Sequence, residues 1–206
     1  MGLYREQVVP RFVDRACGAP GMDRWRAETT EGLRGRVVEI GFGSGLNLPH
    51  YPDEVDIIYA VEPAALARKR SEARAAACAA SVEHIGLDGQ AIGLPDDSCD
   101  AALCTFTLCT IEDPSRALAE IARVLKSGGN LHFLEHGLAP EPRVVSWQRR
   151  IEPLQRRVAD GCHLTRDPLR MLADAGFEVT SSSQRYARGP KPWTYLTLGR
   201  AMSPSH

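Results

Sequence analysis

The segment Val37–Asn47, VVEIGFGSGLN, runs an apolar, β-branched stretch directly into glycines at positions 41, 43 and 45. Glycine lets such a turn pass through positive φ without strain and leaves no Cβ between the backbone and an approaching ligand. Turns of this kind follow the carboxyl ends of buried parallel strands, so the segment points to an α/β sheet with this strand inside it. The rest of the chain agrees. Short apolar runs at Arg36–Ile40, Ile57–Val61, Val82–Ile85, Asp100–Thr105 and Asn130–Glu135 alternate with stretches of helical character, the pattern of successive βαβ units.

The spacing predicts a helix over Pro114–Lys126: Asp113 is placed to cap it, Pro114 suits its first position, and Leu118, Ile121 and Leu125 share one face. Gly128 and Gly129 are expected to end it. A second helix, rich in Ala and Arg, is expected over residues 66–80, with Arg68, Lys69 and Arg70 on a solvated face. Phe177–Ser181 and Trp193–Leu198 read as an antiparallel pair closing one edge of the sheet. Residues 143–158 place Val144, Trp147, Ile151, Leu154 and Val158 at helical spacing, an amphipathic helix interrupted at Pro153 and expected to pack on the sheet or to cover an acceptor pocket. Residues 1–34 and 138–168 belong to neither sheet nor crossover. They are expected to cover a cleft, with Tyr4 and Trp25 contributing from the N-terminal side.

Composition limits the partners. A chain of 206 residues with 43% apolar positions builds one core, so a single domain over 1–206 is expected. A net charge of −1 lacks the sustained positive field that nucleic acid or an anionic membrane would demand, which leaves a small molecule as the expected partner. Nothing fixes an oligomeric state. Arg5, Glu6, Arg11, Asp14 and Arg15 interrupt the N-terminus, so no signal-peptide core is read there, no membrane-spanning stretch follows, and a cytoplasmic location is expected. Cys17, Cys78, Cys99, Cys104, Cys109 and Cys162 show no CxxC spacing and read as reduced thiols, not as a disulfide or zinc framework.

The glycine turn alone names only a nucleotide-like ligand. Leu46 stands where the dinucleotide fingerprint needs its third glycine, and no Gly-Lys-Ser/Thr follows to make a P-loop. S-adenosylmethionine is cationic and carries no phosphate, so it favours carboxylates such as Glu39 around the turn. Glu62, at the end of the second strand, is placed to accept both ribose hydroxyls, which suits either NAD or adenosylmethionine. Asp88, after the third strand, is placed to accept from the adenine amino group.

These segments closely resemble the class I methyltransferases over residues 35–136. The first motif of that family matches Val37–Gly45, its second-strand acid matches Glu62, its GDAxxLPFxDxSFD segment resembles Leu87–Asp100, and its RVLKPGGxLxxxE resembles Arg123–Glu135. Leu87 in place of Gly and Cys99 in place of Phe are departures that remove no ligand. The resemblance implies a Rossmann-like, seven-stranded, mostly parallel sheet with helices on both faces and an antiparallel C-terminal edge strand. It further implies S-adenosylmethionine across strands one, two and four, S-adenosylhomocysteine as product, and no metal. The implied cofactor residues are Glu39, Gly41, Phe42, Gly43, Ser44, Gly45, Asn47, Glu62, Pro63, Asp88, Gly89, Gln90, Cys104, Thr105 and Leu108. On this view residues 1–34 form an N-terminal helical cover, 35–136 the cofactor core, 137–170 a substrate-side cap, and 171–206 a C-terminal helix and strand pair.

The strings CTFTLCTIEDP, FLEHGL, WQRRIEPL and DGCHLTRD resemble the methyltransferase-like thiol S-methyltransferases, whose mammalian members are microsomal and carry an N-terminal membrane segment. No such segment is read here, so association with lipid droplets or endoplasmic reticulum is not implied. The subfamily implies a thiol or hydrogen sulfide as methyl acceptor; a quinone-like ring carbon or a lipid amine competes with it, as does a non-catalytic adenosylmethionine-binding role. Methyl transfer is an in-line displacement, for which alignment and exclusion of water matter most. A thiol acceptor gains from a nearby base, because most of it is protonated at neutral pH. His136 is the first candidate base, followed by His163 and Asp160. Competing structural roles are a loop hydrogen bond for His136, helix capping at Pro168 for Asp160 or Thr165–Asp167, and simple burial for Cys162.

Overall fold

A computed structural model describes residues 14, 17–19, 21–159 and 161–204. Its elements in chain order are α1 (Met22–Thr30), β1 (Gly35–Ile40), a short 3-10 turn (Leu48–His50), β2 (Val55–Val61), α2 (Ala65–Ala76), β3 (Ser81–Gly86), β4 (Cys99–Thr105), α3 (Pro114–Val124), β5 (Leu125–His136), α4 (Pro142–Val158), α5 (Pro168–Asp174), β6 (Glu178–Tyr186), α6 (Lys191–Thr194) and β7 (Tyr195–Met202). They build a seven-stranded sheet in the order β3-β2-β1-β4-β5-β7-β6. β1 to β5 pair in parallel, whereas β7 pairs antiparallel with both β5 and β6. The C-terminal pair closes one end of the sheet as expected. Within it the later strand is the inner one, and β6 forms the edge.

The chain moves outward from β1 to β2 and β3, then returns to place β4 on the other side of β1. That reversal leaves a crevice at the carboxyl ends of β1 and β4, where open α/β sheets bind ligands. β1 is buried on both faces from Val37 to Ile40. On one face Leu118, Ile121 and Val124 of α3 and Leu172 of α5 pack against Val38, Ile40 and Cys104. On the other, Val37, Ile58 and Leu103 pack with Leu33, Phe42 and Leu48, while Trp25 of α1 joins Leu134, Leu196 and Leu198. α1 is therefore a packed element of the sheet face. Tyr4 lies outside the described residues.

α3 starts as its sequence predicts, with Asp113 Oδ1 accepting from the Arg116 amide at 3.0 Å, but it stops at Val124. Leu125 is already extended and pairs with Cys99, so Gly128 (φ +76) and Gly129 lie inside an irregular stretch of β5 and do not terminate the helix. The second expected helix ends at Ala76. Its basic run is partly engaged: Arg68 donates to the carbonyls of Glu62 and Pro63, and Arg70 pairs with Asp14.

α4 departs further from expectation. Trp147 is 56%, Leu154 63% and Val158 40% exposed, so the apolar stripe does not face the sheet among the described residues. The inward face is polar instead. Gln148 is fully buried, accepts from the Ala139 amide at 3.0 Å and donates to the carbonyls of Gly137 and Pro192. Glu152 accepts from the Thr165 amide at 2.9 Å. Buried backbone groups without partners are costly, and satisfying them fixes which side of α4 turns in.

A methyl group at Gly41 would stand 2.0 Å from Thr107 Oγ1 on a backbone with φ +73. Thr107 uses that hydroxyl to donate to Ile40 O. Gly41→Ala is expected to destabilise the fold by at least about 3 kcal/mol through left-handed strain and displacement of Thr107, measured as a shift in the chemical denaturation midpoint. A change below about 1 kcal/mol would contradict this packing.

Candidate active site

The glycine turn is set by backbone bonds across the β1–β2 edge. The amides of Gly41 and Phe42 both donate to Val61 O, and Gly41, Gly43 and Gly45 all have positive φ. Their surroundings differ. A Cβ at Gly41 would strike Thr107 and one at Gly45 would strike Leu48, whereas one at Gly43 would meet nothing nearer than 3.8 Å. Gly43 is the point where a ligand gains from the missing side chain.

Glu62 completes this edge. Its carboxylate accepts from the Gly43 amide at 2.8 Å and from the Ala64 amide at 2.7 Å, so the second-strand acid shapes the turn as well as facing it. Pro63 and Asp88 are exposed beside it; Asp88 Oδ1 accepts from the amide and side chain of Gln90, and neighbouring Leu87 is 59% exposed. Gly43, Glu62, Pro63, Asp88 and Gln90 are the residues of this edge that could hold an adenosine-bearing cofactor.

Other expected cofactor residues turn inward. Glu39 has no exposed surface; Asn47 donates to its Oε1 and Tyr51 to its Oε2, both at 2.7 Å. Asn47 uses both side-chain N–H groups, on Glu39 and on Thr105 Oγ1 at 3.0 Å, and accepts from Arg26 at its Oδ1 at 2.5 Å. This network ties α1 to β1 and β4 and gives Glu39, Asn47 and Thr105 an internal role. The Phe42 ring lies edge-on to His84 in the core, and Gly89 is packed against Ile40. Ser44 is taken up by Asp14 and Arg74. Cys104 and Leu108 are buried among the core side chains, and both backbone groups of Leu108 are engaged, by Glu135 and Arg166. Their side chains do not line the cleft.

A second cluster lies where β5 ends and the chain leaves β4. Glu135 is fully buried, and its carboxylate accepts from the amides of Thr107 and Leu108 at 2.8 and 2.9 Å and of Cys109 at 3.3 Å. Arg166 donates to the carbonyls of Leu108 and Ile111, and the His163 amide donates to Cys109 O. His136 Nε2 is 2.9 Å from Cys162 Sγ, while its Nδ1 is buried with no hydrogen-bond partner among the described residues. Burial alone would lower the His136 imidazole, yet Cys162, Glu135 and Glu152 hold it above the ordinary histidine range. His163 lies 3.1 Å from Glu152, and burial and Arg166 lower it. Asp160 lies outside the described residues; Asp167 caps α5. The four strings singled out in the sequence therefore interlock, with Gln148 and Glu152 of the third holding the other segments.

A methyltransferase domain model matches residues 38–133. Human thiol S-methyltransferase TMT1B is 32% identical over 176 residues, spanning 82% of this chain and 69% of that protein. Rat thiol S-methyltransferase TMT1B is also 32% identical, over 79% of this chain and 66% of its own length. The chain belongs to the class I S-adenosylmethionine-dependent methyltransferases. It resembles the thiol S-methyltransferase subfamily and spans about two thirds of the length of these relatives. For the fold, the YcgJ protein of Bacillus subtilis superposes with a TM-score of 0.68 at 15% identity over 89% of this methyltransferase and 98% of that chain. No helix among the described residues is long and apolar enough to cross a membrane.

Sequence reasoning passed over Arg26, Tyr51, the carboxylate role of Glu135 and the positive φ of Phe106 (+54). Only Glu135 had a local signal, in the FLEH string.

Removing the Glu135 carboxylate leaves three inward-facing amides without an acceptor, at about 1–3 kcal/mol each. Glu135→Ala is expected to cost at least about 3 kcal/mol and to speed hydrogen exchange at Thr107–Cys109, read by denaturation and amide exchange; unchanged protection would refute the anchoring role.

Two buried groups impose opposite pH slopes. Burial pushes Glu39 from 4.5 up to about 7 despite its bonds from Tyr51 and Asn47, so stability falls as pH rises through that window, where only the unfolded carboxyl has ionised. Burial pushes His132 from 6.5 down to about 4, although its Nδ1 meets Thr29 O, so stability is lost as pH falls from 6.5 to 4. Each slope amounts to about 3 kcal/mol. Glu39→Gln is expected to leave stability rising between pH 4 and 6.5, and His132→Gln to leave it falling between pH 4.5 and 7. Urea denaturation across this range checks both; slopes of the same sign would overturn the assignment.

Proposed function

We propose that this chain transfers the methyl group of S-adenosylmethionine to a small thiol, releasing S-adenosylhomocysteine. The donor half rests on Gly43, whose open Cα side and left-handed backbone lie beside Glu62 at the sheet's switch point. The acceptor half rests on the interlocked cluster of Glu135, His136, Cys109 and Cys162, assembled from the strings that resemble thiol S-methyltransferases and held on the loop that follows β4. Thr107 of that loop packs against Gly41, so the cluster adjoins the donor turn. Such a site orients the acceptor sulfur toward the sulfonium methyl and keeps water out, the contributions an in-line displacement needs.

Calorimetric titration with adenosylmethionine tests the donor half. Gly43→Ala is expected to fold, at a cost of about 1–2 kcal/mol for the left-handed alanine, yet to lose cofactor affinity. Glu62→Gln is expected to weaken binding tenfold to a hundredfold, the equivalent of about 1.5–3 kcal/mol for bonds to a charged acceptor. Adenosylhomocysteine release with alkyl thiols, sulfide, amines and quinols tests the acceptor half. Turnover with amines or quinols and none with thiols would overturn the acceptor while leaving the donor intact.

A further inference from the structure

Cys109, His136 and Cys162 arrive from three places: the loop after β4, the last residue of β5, and the turn between α4 and α5. Their sulfurs and an imidazole nitrogen all lie within 4.8 Å of one another. Both cysteines are buried, at 2% and 7% exposure. Each ligand is fixed from behind. The Cys109 amide donates to Glu135, its carbonyl accepts from the His163 amide at 2.8 Å, and the Cys162 amide donates to Ala159 O at 3.0 Å. Nothing else among the described residues satisfies the buried Nδ1 of His136, so the ring is left with one sulfur contact to explain its position.

We propose that Cys109, His136 and Cys162 form a soft-metal site, with zinc as its ion and a fourth position open to the sulfur of the thiol substrate. The proposal rests on the thiol reading above. In a tetrahedral zinc site, bonds of about 2.3 Å to sulfur and 2.0–2.1 Å to nitrogen put ligand atoms about 3.5–3.8 Å apart. The three ligand atoms, all within 4.8 Å of one another, would have to adjust to that spacing, the short His136–Cys162 contact of 2.9 Å opening by about 0.6 Å. Two thiolates and a divalent ion leave no net charge, which suits a buried position. Two cysteines, one histidine and an open coordination place make up a recognised catalytic zinc set, and thiolate ligands select zinc over magnesium or calcium.

The open place supplies what a thiol acceptor lacks. On coordination the substrate S–H bond breaks, its proton passes to solvent, and the sulfur stays on the metal as a thiolate. A lone pair on that sulfur forms the new S–CH3 bond as the methyl–sulfonium bond breaks, and those electrons return to the sulfur of adenosylhomocysteine. The product thioether is neutral and a weaker ligand, so it leaves. Glu135, which aligns the Cys109 amide, is a positioning residue here; Arg166, bonded to the carbonyls of Leu108 and Ile111, keeps the loop in place from the other side.

The test uses the full chain purified without chelators. Elemental analysis and competition with a chromophoric chelator are expected to give one zinc per chain. Cys109→Ser, Cys162→Ser and His136→Gln should each weaken binding at least a hundredfold, whereas Cys78→Ser, outside the cluster, should leave it unchanged. Since a core variant can misfold, cobalt(II) substitution of the unaltered protein gives an independent readout. Thiolate-to-cobalt charge transfer and tetrahedral visible bands are expected, shifting when 2-mercaptoethanol is added. No zinc uptake by fully reduced protein, or a Cys109–Cys162 disulfide in its place, would overturn the site even if thiols are methylated. A cobalt spectrum that ignores added thiol would overturn the open position. Zinc binding with a thiol-responsive spectrum but no thiol turnover would uphold the site while refuting the acceptor reading.

Discussion

The buried carboxylate of Glu135 organises the loop after β4 and the cysteine–histidine cluster built on it. Placed at the end of β5, it gathers the amides of Thr107, Leu108 and Cys109, three consecutive donors that the turn after β4 would otherwise bury unpaired. A buried carboxylate is tolerated only where donors surround it, and burial still raises it above the ordinary range. Carboxylate and loop are therefore mutually dependent. Fixing the loop places Cys109, aligns Thr107 beneath Gly41, and presents the Leu108 and Ile111 carbonyls to Arg166. The glycine turn and the cysteine–histidine cluster are thus joined through one short peptide, not through a chain of side-chain contacts.

The donor half was the more legible part of the sequence because its determinants are local. A buried strand, a glycine turn and an acid one strand later are each defined within a few residues, and the fold puts the Gly43 turn after β1 and Glu62 after β2. The same pattern named Glu39, Asn47, Cys104 and Leu108 as ligand residues, and the structure turns them inward. Spacing fixes a residue's place along β1 or β4 but not which neighbour claims its polar atoms. Arg26 and Tyr51 decided that for Glu39 and Asn47, and neither carries a motif. Pattern failed at α4 for a related reason: an apolar stripe is read as the buried face, but Gln148 and Glu152 face backbone groups that need them more.

The cysteines show most plainly what linear spacing conceals. Without a CxxC pair the six thiols read as unrelated buried side chains, yet folding brings Cys109 and Cys162 to the same imidazole. The segments that carry them are joined by long-range backbone bonds, His163 to Cys109 and Leu138 to Arg166. Ligand sets assembled this way leave no periodic trace. What did survive was string-level resemblance, because every string contributes a group the others require: amides from the first, Glu135 and His136 from the second, Gln148 and Glu152 from the third, and Cys162 with Arg166 from the fourth.

This interdependence explains why the two halves differ in kind. The turn at Gly43 requires only a short stretch with the right backbone and open space at the Cα. The Cys109–His136–Cys162 cluster requires four segments to meet, with most of their buried polar groups satisfied by another segment. Changing one string alone leaves buried amides or a buried carboxylate without partners, at a cost of kilocalories per group. The joint presence of the strings in a chain 32% identical to human TMT1B reports segments that hold one another in place, where the overall identity counts scattered matching residues.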